Sequence, residues 1–113
     1  MSLNVDELLE IAHGISNGTL HKYTHHECFT SGAFDQLHPG NVSSKEAFEL
    51  MREVCRRYES VAAAQKGVSG YFYLLEILAR LTDTTEMPHE LLPLMDAHPE
   101  HSHGLKVWYR VSP

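Results

Sequence analysis

SSKEAFELMREVCRRYESV, residues 43–61, carries a full set of helix signals. Ser43 offers a side-chain oxygen to the first orphan amides, and Glu46, three residues on, is placed to reach back as its capping-box partner. Ala47, Met51, Val54, Tyr58 and Val61 recur at alternating spacings of four and three, with Leu50 beside them, which makes one apolar stripe of helical period. The charged residues fall off that stripe, where Glu53 and Arg57 are spaced to pair and Glu49 and Glu53 to repel. Cys55 borders the stripe and reads as a packing residue. A helix with one apolar face must bury it against other elements, so the flanking sequence has to supply them.

It does so on both sides. Upstream, Asn4 and Glu7 form a second capping box, Leu3 can staple against Leu8, and Val5, Leu8, Leu9, Ala12 and Ile15 share a face up to the stop at Asn17-Gly18. Between Thr19 and Phe34, Leu20, Tyr23, Cys28 and Phe29 fit a helix, a strand or an irregular run equally, and His38-Pro39-Gly40-Asn41 is a turn by composition. Downstream, Gln65-Lys66-Gly67 ends the first helix. Tyr71 to Leu81 is then apolar on nearly every side, with only Glu76 and Arg80 polar and spaced to pair, which predicts a central buried helix. After a loop at Thr82 to Thr85, Pro88 is read as opening a short helix that Pro93 interrupts, with Leu91, Leu92, Leu94 and Met95 as its core face.

The tail from Gly104 to Val111 changes period. Leu105, Val107, Tyr109 and Val111 alternate with Lys106, Trp108 and Arg110, and the β-branched and aromatic content fits a short strand. Such a strand needs a partner, either Leu20 to Phe29, a second copy of the chain in a homodimer, or another protein. The expected fold is therefore mostly α, a bundle of about four to five helices with a short C-terminal β-strand, or α+β if that strand is paired. At 113 residues the chain fits one domain over its whole length, residues 1–113.

Composition narrows the function classes. A net charge of −6 argues against a nucleic-acid binder, which presents a basic face to phosphates. The longest apolar run, Tyr71 to Leu75, is too short to span a membrane, and the acidic start MSLNVDELLE lacks the basic region of an export signal. Cys28 and Cys55 are too few for a secreted disulfide framework, so reduced thiols in the cytoplasm are expected. Nine histidines make the charge pH-dependent, and protonating all of them would carry it from −6 to +3.

Two histidine clusters could carry chemistry. His21 and His25 would share a helical face beside His26, Glu27 and Cys28, and His98, Glu100, His101 and His103 crowd a proline-containing segment with His89 and Asp96 upstream. Neutral imidazole suits zinc, nickel and copper, so His21, His25, His98, His101 and His103 form the candidate ligand set for zinc or another transition metal. No zincin glutamate stands between the first pair, and no phosphate loop, GxSxG or calcium-loop pattern occurs. Cys28 has no nucleophile signature around it. On the tail, Lys106, Trp108 and Arg110 share the non-core side of the expected strand and have the composition of an interface anchor.

These readings give two functions of different class. The first is a small acidic, non-catalytic binding protein without a cofactor that inhibits or neutralises a protein partner, of the immunity, antitoxin or phage counter-defence type. The second is a metal-binding protein or metal-dependent enzyme that uses the clustered histidines. A pH switch built on those histidines is a further option.

Overall fold

The computed structural model describes residues 5–16, 37, 40–59 and 68–110. Among them five α-helices and one short 3-10 helix follow in order: α1 Val5–Ser16, α2 Ser44–Arg56, α3 Ser69–Thr82, α4 Leu92–Ala97, the 3-10 turn Pro99–His101, and α5 His103–Tyr109. The protein is thus mostly helical, and none of these helices is long and apolar enough to cross a membrane. Asn4, the segment Thr19 to Phe34 with Cys28, the stops at Asn17-Gly18 and Gln65-Lys66-Gly67, and His38-Pro39 lie outside the described residues.

The capping box that opens α2 is formed as its residues require. Glu46 N–H donates to Ser43 Oγ, and Ser43 N–H donates to Glu46 Oε1, each at 3.1 Å. Ala47, Met51 and Val54 turn inward with no exposed surface, and Cys55 joins them. Glu53 meets Arg57 at 3.2 Å as the spacing predicts. Arg57 also reaches Asp6 of α1 at 2.6 Å, a contact between helices far apart in sequence.

Helix α3 is the centre of the core. Tyr71, Phe72, Leu74, Leu75, Leu78 and Ala79 are all buried, so most of its circumference is covered. Helices α1 and α2 each pack along it while touching one another much less. Leu8 and Ala12 arrive from α1, Leu94 and Met95 from α4, and Leu105 and Tyr109 from α5. One orphan amide at the start of α3, Gly70 N–H, donates to Ser16 Oγ at the end of α1 at 2.9 Å, so one helix caps the next. The helix ends where Asp83 takes a left-handed conformation with φ 53°.

Three expectations need correction. The C-terminal strand is not formed over the described tail, which is helix α5. Leu105 and Tyr109, four residues apart, are buried together with Trp108 packed beside them, whereas Val107 is 64% exposed. Seven residues fit both periods, and a helix satisfies its own backbone where a lone strand leaves its amides unpaired. With the strand goes the edge on which a homodimer was to pair; Val111 lies outside the described residues. Second, Pro88 opens no helix and Pro93 interrupts none: α4 begins at Leu92, with Pro93 in its first turn, where its missing N–H is one of the orphans anyway, and Leu92, expected in the core, is exposed. Third, Glu76 and Arg80 form none of the ion pairs within 4.0 Å among the described residues; both line a groove instead.

Candidate functional site

The C-terminal histidines are held by aromatic packing. His98 sits at the joint between α4 and the 3-10 turn, with Nε2 2.5 Å from the Tyr58 hydroxyl and Nδ1 3.5 Å from a Glu100 carboxylate oxygen. Its ring lies edge-on to Tyr58 and to Phe72, with centroids 5.6 Å away in both cases. His101 stacks on Phe72 at 6.0 Å and 23°. Ser102, fully buried, locks the joint by donating to His98 O at 2.6 Å and lying 3.2 Å from Met95 O.

His103 lines a groove of about 310 Å³ between α3 and α5, together with Glu76, Arg80, Glu100 and His101. Gly104 admits this closeness: a Cβ there would stand 2.7 Å from the Glu76 carboxyl. The groove continues past Arg80 to Val107 and Trp108. Its opposed charges, two carboxylates against Arg80 and two imidazoles, select no ligand sign. No three His, Cys, Asp or Glu side chains among the described residues are arranged to hold a metal ion. His98 and His101 neighbour each other at 6.4 Å between ring centroids, His103 joins only His101, and His21 and His25 lie outside the described residues.

The tail residues part company. Trp108 is half-buried against the core, and its indole N–H donates to Thr84 O at 3.0 Å, which ties α5 to the loop after α3. Lys106 is half-buried, while Arg110 is exposed at the helix end with φ 57°. Cys55 is walled off: burial pushes its thiol up to about 12, and the Glu90 charge adds to the effect. That environment suits packing and not a nucleophile.

A surface that residue patterns did not single out lies between α1 and α2. A groove of about 370 Å³ runs there along α2, and among its described lining residues Val5 is the one from α1. Val5, Val42 and Leu50 make its apolar lining, and Lys45, Glu46, Glu49 and Glu53 stand around it. Arg52 and Arg56 pair with Glu90 at 3.1 and 3.4 Å and also reach the groove carboxylates of Glu49 and Glu53 at 3.7 and 3.4 Å. On α1, Asp6, Glu7 and Glu10 are exposed outside this lining, and Asp6 pairs with Arg57. The available signal was the i, i+4 series Lys45, Glu49, Glu53 running beside Leu50, which periodicity assigns to solvent.

No family model, no curated protein and no solved structure matches this chain.

Proposed function

We propose that this chain is a small, non-catalytic binding protein that inhibits or neutralises a protein partner by covering it, working in the cytoplasm without a cofactor. The observation that carries the reading is the α1–α2 groove, whose apolar lining and carboxylate surround have the anatomy of a protein interface. Apolar side chains give such a contact its affinity, and the charged border gives it speed and selectivity. The acidic total charge of −6 extends the same sign over the molecule and favours a partner with a basic surface. The buried thiol of Cys55 and the aromatic-packed His98 are engaged in structure, which fits a scaffold whose work is done on its outside.

The test is co-purification from the native host, followed by assay of the recovered protein. The expected outcome is one partner in near-equal amount whose activity falls as the chain is added back. Recovery of nothing above the background of an unrelated acidic protein of similar size would refute the reading, and so would catalytic turnover by the chain itself.

A further inference from the structure

We infer that the groove between α3 and α5 is a binding site for a small zwitterion, a free α-amino acid with an apolar side chain. Its ammonium lies against Glu76, its carboxylate against Arg80, and its side chain over Val107 and Trp108. This goes beyond the binding-protein reading and concerns a surface apart from the α1–α2 groove.

Helix α3 supplies the charges. From Tyr71 to Leu81 its only charged residues are Glu76 and Arg80, and both line each of the two adjoining stretches of this groove, of about 310 and 220 Å³. At i, i+4 such a pair ordinarily closes on itself. Here neither side chain forms an ion pair within 4.0 Å among the described residues. The Glu76 carboxyl lies instead against Gly104, where a Cβ would stand 2.7 Å from it. The groove's second carboxylate, Glu100, is engaged by His98 at 3.5 Å. One carboxylate and one guanidinium therefore face a common space, and a ligand that carries both signs matches both, whereas a ligand of single sign matches only one. The two residues stand one helical turn apart, roughly 6 Å along the axis, which an ammonium and a carboxylate borne on one carbon span with a hydrogen bond at each end.

The far end supplies the apolar wall. Val107 is 64% exposed, and the indole N–H of Trp108 is already donated to Thr84 O, so both offer the groove apolar surface without an unmet polar group. Ala79 and Leu105 complete this wall. A small concave site with an apolar wall and a few convergent charges has the anatomy of a small-molecule pocket.

The probe is L-phenylalanine, titrated into the full chain and followed by backbone NMR. Three fragments are the controls: phenethylamine lacks the carboxylate, hydrocinnamate lacks the ammonium, and glycine lacks the side chain. Expected are saturable shifts centred on Glu76, Arg80, Gly104 and Val107, with each fragment weaker by about tenfold or more. Glu76→Gln and Arg80→Gln, both outside the core, should each weaken binding by about tenfold. Gly104→Ala should weaken it severalfold by displacing the Glu76 carboxyl, with melting nearly unchanged. Lys45→Gln on α2 should change nothing. No saturable shift at about 10 mM L-phenylalanine, a fragment that binds as well as the whole, or binding undiminished by Glu76→Gln and Arg80→Gln would each overturn the assignment.

Discussion

A carboxylate can only accept hydrogen bonds, so Glu100 beside His98 Nδ1 asks that nitrogen to carry the proton, and a neutral ring then accepts from Tyr58 at Nε2. Long-range proton–nitrogen correlation spectra of neutral His98 should show the Nδ1–H tautomer; the Nε2–H form would contradict the arrangement. Tyr58→Phe should cost about 1 kcal/mol in urea unfolding, since it removes one half-buried hydrogen bond and little packing. Cys55, with its thiol raised to about 12, should escape iodoacetamide in the native protein and react only on unfolding, as peptide masses would reveal. Its packing role is legible from position alone, because it borders a regular stripe. The fate of His98 is not: the same imidazole can ligate, titrate or pack, and only the arrival of Tyr58 and Phe72 from distant helices decides among these.

The start and body of helix α2 are legible in its residues because its capping box and stripe are local signals that agree; its end at Arg56 is not, since the stripe runs on to Tyr58. Ser43→Ala should therefore cost about 1 kcal/mol by denaturant unfolding. The tail is not legible, since Leu105, Trp108 and Tyr109 fit a helix while the alternation fits a strand, and the choice comes from α3, against which only the helical face closes. Gly104 sits at that closure. An alanine there meets the flexible end of Glu76, so Gly104→Ala should displace the Glu76 carboxyl yet leave melting nearly unchanged, because the gain in helix propensity offsets the shift. Between α2 and the loop before α4, Glu90 is pushed up by burial. Hydrogen bonds from its own backbone and from Arg52, with the charges of Arg52 and His89, more than reverse this and hold it below its ordinary 4.5. A depressed carboxyl stabilises the fold above that value and loses its contribution as pH falls through the lower folded value. Glu90→Gln should lessen the acid sensitivity of melting below about pH 4.5.

The three-helix frame has a physical consequence. Helices α1 and α2 both flank the central helix, and the apolar trough lies along α2, with Val42 and Val5 beside it. The helices are legible in the sequence; the trough is not, because Val5 of α1 and Val42 meet Leu50 of α2 only by folding. The most direct measurement of the claim that this trough is the working surface is amide hydrogen exchange on the complex recovered from the native host. Slowed exchange in α1 and α2 around Val5, Val42 and Leu50, with α5 unaffected, is the predicted result; protection confined to α3 and α5 would contradict it.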